Sequence, residues 1–252
     1  MAGKVITFNV DMPQLGVGDR RVWVYLPPGY HGAARRYPVL YMHDGQNLFD
    51  AAASYSGAWG VGKSIDALNR AKKTKGAIVV GVDNGGEERW NEYSPWCDID
   101  GKGRCDGAKY ASFLVETLKP LIDKKFRTQP GREDTGVAGS SLGGTISFYI
   151  ALQYPEVFSR AGLFSPTFWF ARAKALSLVK KAGLKKDTRI YMDVGTKEGW
   201  HEEEYLADAR AMSGLFAKKG VEQRFVIDEG GIHNESAWAR RFPAAFLWLF
   251  ES

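Results

Sequence analysis

A serine hydroxyl attacks carbonyl carbon usefully only where a strained turn presents it and a base takes its proton. Gly139-Ser140-Ser141-Leu142-Gly143 has the G-x-S-x-G pattern. It follows the short strand-like stretch Thr135–Ala138 and leads into an apolar run from Gly143 to Tyr154. The motif needs this strand–turn–helix setting, because the flanking glycines let the turn pass between strand and helix without side-chain collisions. Ser141 is therefore the expected nucleophile. Ser140 sits one position off the turn tip.

The base must be a histidine after Ser141, since chain order in this turn type runs nucleophile, acid, base. The chain has four histidines, at 31, 43, 201 and 233. His31 and His43 precede the serine, and His201 opens the acidic run Glu202-Glu203-Glu204, where a helix N-terminus explains the carboxylates. His233 remains. It follows the last strand-like stretch through Asp228-Glu229-Gly230-Gly231 and precedes a helix that Asn234 could cap.

Two carboxylates qualify as the acid that orients the imidazole: Glu198, in Gly195-Thr196-Lys197-Glu198-Gly199, and Asp193, at the end of the preceding strand-like stretch. Glu198 is preferred, because a loop residue turns toward a histidine more freely than a strand residue does. Asp193 is the runner-up. The tetrahedral oxyanion needs two backbone donors. Leu142 supplies one amide directly after the nucleophile, and the loop His43-Asp44-Gly45-Gln46-Asn47 supplies the other, through Gln46 or its neighbour Gly45.

These residues need a frame that brings them to one edge. β-Branched and apolar runs predict strands over Val5–Val10, Arg21–Leu26, Pro38–Met42, Ala77–Val82, Thr135–Ala138, Ala161–Phe164, Arg189–Val194 and Arg224–Ile227. Helical spacing occupies Val61–Lys72, Ala108–Lys125, Gly143–Tyr154, Ala171–Lys180, Glu203–Lys219 and Glu235–Phe250. The first two strands, joined by a turn around Gly16–Asp19, suit an antiparallel hairpin. Strand and helix alternate from the third strand onward, which predicts an α/β fold with a mostly parallel sheet covered on both faces. Catalytic groups then belong at the carboxyl ends of the strands. The irregular stretches Asp44–Trp59 and Asn84–Gly107 are candidates for site-forming loops.

Composition narrows the alternatives. With 252 residues, 44% hydrophobic and 25% charged, the chain reads as one globular domain over 1–252. Folding at that length removes roughly three quarters of the unfolded surface from water, so its 2 cysteines need not form a framework. Cys97 and Cys105 are close enough in sequence for a local disulfide, or for an inert reduced pair. The formal charge of +5 is spread among interleaved acids and carries no groove-reading motif, so no nucleic-acid partner is expected. The uncharged stretch from Thr135 to Pro155 is too rich in Gly and Ser for a membrane span, and the N-terminus lacks the apolar core of a secretory signal.

Together these marks resemble the putative-esterase branch of the α/β-hydrolases, which includes enterochelin-type esterases and the feruloyl and acetylxylan esterases of carbohydrate esterase family one. The resemblance runs from about Arg21 to Phe250, through Tyr37–Asp50, Gly139–Gly144, Gly195–Glu198 and Gly231–His233. It implies a three-layer α/β-hydrolase sandwich with an eight-stranded sheet and a serine esterase that needs no cofactor or metal. It also implies a small-molecule ester substrate, acyl or aryl- and sugar-linked. The family's acid falls in its G-T-x-D/E loop, on Glu198. Where many relatives have a Gly-rich H-G-G-G loop, this chain has His43-Asp44-Gly45-Gln46. Exported relatives and a local disulfide together point to a periplasmic or secreted mature form.

Competing motifs carry other readings. Gly57–Ser64 satisfies the P-loop pattern G-x-x-x-x-G-K-[ST], which would make the chain a nucleotide hydrolase with Lys63 on the phosphates. A P-loop springs directly from a strand, and Gly57 follows a long polar loop instead. Asp98–Gly103 begins like a calcium loop but has Lys102 at the third ligand position. A non-catalytic binding relative on the same scaffold is the remaining alternative. Aromatic residues make up 13% of the chain, and Trp59, Trp90, Trp169 and Trp200 are expected to line the substrate cleft.

Overall fold

Alternation in the first strands and continuous apolar runs in the inner ones build eight strands into one sheet, with spatial order β1-β2-β4-β3-β5-β6-β7-β8. The strands are β1 (Lys4–Met12), β2 (Val17–Leu26), β3 (Val39–His43), β4 (Ile78–Val82), β5 (Thr135–Ser140), β6 (Arg160–Phe164), β7 (Arg189–Lys197) and β8 (Glu222–Ile232). This computed structural model describes residues 2–32, 34–54, 57–97 and 104–251. β1 pairs antiparallel with β2, and β2 antiparallel with β4; every other pairing is parallel. The expected hairpin and parallel sheet are both present.

Successive residues of each buried strand serve opposite faces. Val39 and Tyr41 join one core cluster, with Val137, Ile146, Phe148, Met212 and Phe216. Leu40 and Met42 join the other, with Ile65, Phe242, Phe246 and Leu249. Helices α1 (Val61–Arg70) and α8 (Glu235–Phe250) cover that second face. The first face carries α5 (Leu142–Gln153), α6 (Arg172–Lys181) and α7 (Glu202–Lys218), with α2 (Arg89–Tyr93) and α3 (Gly107–Ser112) packed on α5.

The expected helix over Ala108–Lys125 is helical throughout but changes pitch. α3 passes into a π-helical segment, Phe113–Leu118, and then into α4 (Lys119–Lys125), whose second residue is Pro120. A proline ring crowds the carbonyl four residues back, here Glu116, and widening the preceding turns relieves that clash.

β7 and β8 both run past their expected ends. β7 reaches Lys197 and β8 reaches Ile232, with a register shift between Gly195 and Lys197 opposite Asp228 and Ile232. Asp193 is consequently inside a strand rather than at its end. Glu198 and His233 each follow directly on adjacent strands.

Candidate active site

The sheet reverses its winding at β3, which has β4 on one side and β5 on the other. Ligand crevices form at such switch points, outside the carboxyl ends of the strands. A cavity of about 540 Å³ opens there, lined by Asp44, Gln46, Asn47, Asn84, Gly86, Arg89, Ser140, Ser141, His233, Glu235 and Trp238. Both irregular stretches singled out in the sequence contribute to it.

Ser141 joins β5 to α5 with φ 57° and ψ −126°. A non-glycine residue held there stores on the order of 1–3 kcal/mol of strain, which the surroundings must enforce. They do so through the Ser141 N–H, which donates to Phe164 O at 2.9 Å, and through packing of the flanking glycines. A Cβ on Gly139 would lie 2.7 Å from the Gly143 carbonyl. Leu142 is the first residue of α5, where a backbone N–H has no partner inside the helix.

In the loop after β3, Asn47 N–H donates to Asp44 O at 2.8 Å and Leu48 N–H to Gly45 O at 3.2 Å. The tight turn thus uses the amides of Asn47 and Leu48, and Gln46 lines the cavity beside Ser141. Asp44 braces this turn in a left-handed conformation, φ 55°. Arg89 grips its carboxylate with Nε–Oδ1 2.7 Å and Nη2–Oδ2 2.9 Å, and Asn84 Nδ2 donates to Oδ1 at 2.6 Å. Although burial opposes ionisation, these contacts hold the Asp44 carboxyl below the usual carboxylate range.

His233 and Glu198 meet with Nδ1 and Oε2 2.5 Å apart. Glu198 also accepts from Ser165 Oγ at 2.7 Å and from the Gly195 N–H at 2.5 Å. Burial alone would raise its pKa, but hydrogen bonds from His233 and Ser165 outweigh it and leave the carboxyl below its ordinary range. An ionised carboxylate only accepts, so His233 Nδ1 carries the hydrogen, and Nε2 is the nitrogen that has the lone pair in a neutral imidazole. The imidazole is fixed between Tyr205 and Trp238, with ring centroids 5.1 and 5.0 Å away. Asn234 caps α8 by accepting from Ala237 N–H at 3.0 Å.

Asp193 is turned elsewhere. It receives Ser165 N–H at 3.2 Å and Tyr191 OH at 3.0 Å, and Arg241 Nε lies 3.1 Å away. Burial nonetheless pushes its carboxyl up to about 7.

The expected aromatic cleft is not built as the sequence suggested. Trp59 is only 4% exposed and packs against Phe164, Trp238 and Phe242, so it is core rather than lining. Trp90 lies against Trp169 and Phe170, and Trp169 stacks on His201 at 4.3 Å. Trp200 is 91% exposed. These three stand outside the cavity; Trp238 is its aromatic wall. Aromatic content identifies sticky surface in a sequence but not which strand end it stands over.

Gly57–Ser64 does not form a phosphate cradle. Trp59 N–H and Val61 N–H donate to Asn47 O and Leu48 O at 2.8 and 3.0 Å, so those amides tie the loop to the β3 turn. Lys63 is exposed on α1. The calcium-like run Asp98–Gly103 lies outside the described residues, and among the described residues no cluster of His, Cys, Asp or Glu could hold a metal. No helix among them is long and apolar enough to cross a membrane. Cys97 and Cys105 are joined by a disulfide.

Sequence reading missed Ser165, Thr167 and Tyr205. Ser165-Pro166-Thr167 directly follows β6, at the same sheet edge as the other site loops, and that position was the available signal.

Known proteins share this fold. The chain is 25% identical over 246 residues to the Uncharacterized protein YbbA of Bacillus subtilis, covering 92% of this chain and 93% of that one. It is 28% identical over 233 residues to the Endo-1,4-beta-xylanase/feruloyl esterase of Xylanibacter ruminicola, covering 90% of this chain and 29% of that longer protein. The crystal structure of BES protein from Bacillus cereus superimposes with a TM-score of 0.79 at 20% identity, covering 98% of this chain and 95% of that one. Residues 16–249 match the family model described as "Putative esterase", and the chain belongs to that esterase family.

Proposed function

We propose that this carboxylic ester hydrolase works through an acyl-enzyme on Ser141, with His233 as general base and acid and Glu198 as the carboxylate that orients it. The observation that carries the reading is the 2.5 Å contact between His233 Nδ1 and Glu198 Oε2, at a cavity that Ser141 also lines. In the first half-reaction, Ser141 Oγ gives its proton to His233 Nε2 and bonds to the ester carbonyl carbon. The carbonyl electron pair moves onto oxygen, where the amides of Leu142 and Gln46 receive the charge. Collapse expels the alcohol, which takes the proton from His233. Water then repeats the sequence on the acyl carbon and frees the acid, while Glu198 stays ionised and stabilises each transient imidazolium.

The substrates assigned are small acyl or aryl- and sugar-linked esters. The name of the Xylanibacter ruminicola relative supports an aryl- or sugar-linked ester. The polar lining from Gln46, Asn47, Asn84, Arg89 and Glu235 supports a partner with hydrogen-bonding groups. The Cys97–Cys105 disulfide supports a periplasmic or secreted mature form.

A serine-directed fluorophosphonate is expected to label the wild-type chain stoichiometrically and to leave Ser141→Ala unlabelled. If Ser141→Ala turns over p-nitrophenyl acetate at a near wild-type rate, the reading is wrong.

A further inference from the structure

The loop after β6 reaches both ends of the proposed triad. Ser165 Oγ donates to Glu198, and two residues later Thr167 Oγ1 lies 3.2 Å from Ser141 Oγ. Tyr205 OH, from α7, lies 2.9 Å from that same Thr167 oxygen. Both side chains are buried, and the Tyr205 ring packs on His233. The Thr167 backbone is fixed at each end: its N–H donates to Ser141 O at 3.3 Å, and its carbonyl accepts from Thr145 Oγ1 at 2.8 Å. Such anchoring holds a hydroxyl beside the nucleophile without relying on substrate.

We infer that Tyr205 and Thr167 form a chain of hydroxyl donors ending on Ser141 Oγ, and that it stabilises the negative charge this oxygen gains during ester cleavage. The inference rests on Ser141 being the nucleophile. One polarity satisfies both contacts: Tyr205 O–H donates to Thr167 Oγ1 and Thr167 O–H donates to Ser141 Oγ, which leaves the Ser141 proton for His233 in the proposed reaction. Burial pushes the Tyr205 phenol above its ordinary pKa, so it keeps its proton and remains a donor.

Charge appears on Oγ twice. In acylation, its proton passes to His233 before the bond to the carbonyl carbon is complete. In deacylation, water has given a proton to His233 and its oxygen to the acyl carbon; Oγ then leaves with the bonding pair and takes the proton back. A donor already in place costs no reorganisation at either moment. Thr167 touches the reacting atom and is assigned as a catalytic residue. Tyr205 acts through it as a positioning residue.

The test is the pre-steady-state burst with p-nitrophenyl acetate, together with the rate of fluorophosphonate labelling. Thr167→Val keeps the shape and removes the donor, and is expected to slow both roughly 10- to 100-fold, the range for a hydrogen bond to a charged group. Thr167→Ser is expected to recover to within about threefold of wild type. Tyr205→Phe is expected to slow the burst by about threefold to tenfold alone and to add nothing in the Thr167→Val background, because its effect passes through Thr167. A Thr167→Val burst within twofold of wild type overturns the inference, as does Thr167→Ser remaining as slow as Thr167→Val. If Thr167→Val fails to fold, Tyr205→Phe decides: an unchanged burst rate overturns it. Labelling of Ser141→Ala would instead remove the underlying triad reading, so the two failures are distinguishable.

Discussion

At the scale of single residues, two carboxylates compete for the role of acid, and their partners separate them. Glu198 meets the imidazole and is held ionised by its donors, whereas Asp193 meets Arg241, Tyr191 and Ser165. Glu198→Gln places an amide against His233 Nδ1 and favours the wrong tautomer, so kcat is expected to fall on the order of 10³–10⁴ while the fold is retained. Asp193→Ala leaves buried donors without an acceptor. It is expected to cost at least about 2 kcal/mol in denaturant unfolding while activity per folded molecule falls less than tenfold. Comparable activity losses in the two variants would return Asp193 to candidacy. The proposed triad is read residue by residue from the sequence: Ser141 from its motif, His233 from chain order, Glu198 from its loop. Thr167 and Tyr205 were not, because each is defined by contact across distant segments, and neither lone threonines nor lone tyrosines carry a motif.

At the scale of elements, the extended ends of β7 and β8 explain how Glu198 and His233 meet. The strands remain paired past Gly195, and the register shift absorbs Glu229, Gly230 and Gly231 so that Ile232 pairs with Lys197. Gly230 takes φ 73°, which favours glycine, and Gly195 lies against the Gly231 carbonyl so closely that a Cβ has no room. Glycines have low strand propensity, so these paired ends read as loops in the sequence, although the strand interiors were recognised correctly. The helix over Ala108–Lys125 was legible for the same reason, since its apolar face survives the π-turn before Pro120. Gly195→Ala is expected to lower stability by about 1–3 kcal/mol, several degrees in Tm, and to slow the p-nitrophenyl acetate burst by displacing Glu198. Gly183→Ala, with nothing within 4 Å of the new Cβ, is the control and should lie within about 0.5 kcal/mol of wild type. Equal stabilities for the two variants would refute the close-approach argument.

For the molecule as a whole, the same switch point that opens the crevice also buries a titratable group beneath it. His43 ends β3 and is packed between Tyr93 and Tyr110, with ring centroids 5.3 and 5.4 Å away. Its Nδ1 lies 2.9 Å from Tyr110 OH, and its buried Nε2 has no hydrogen-bond partner among the described residues. Burial lowers its pKa from 6.5 to about 3; the nearby Asp44 charge opposes that shift and Arg89 reinforces it. In the unfolded chain this imidazole takes a proton as pH falls through about 6.5, while in the folded chain it stays neutral until far lower. Protons therefore favour the unfolded state, and the stability present above pH 6.5 is lost as pH falls toward 3. Between pH 7 and pH 5 this one group is expected to remove about 2 kcal/mol, before ordinary carboxylates begin to titrate. His43→Asn keeps a hydrogen-bonding atom for Tyr110 but cannot take up the proton. Urea unfolding of both chains at the two pH values isolates the effect, because every other ionisable group is common to both. The wild type should lose about 2 kcal/mol more than the variant over that interval, and equal losses would mean that the imidazole at the end of β3 is not kept neutral by burial.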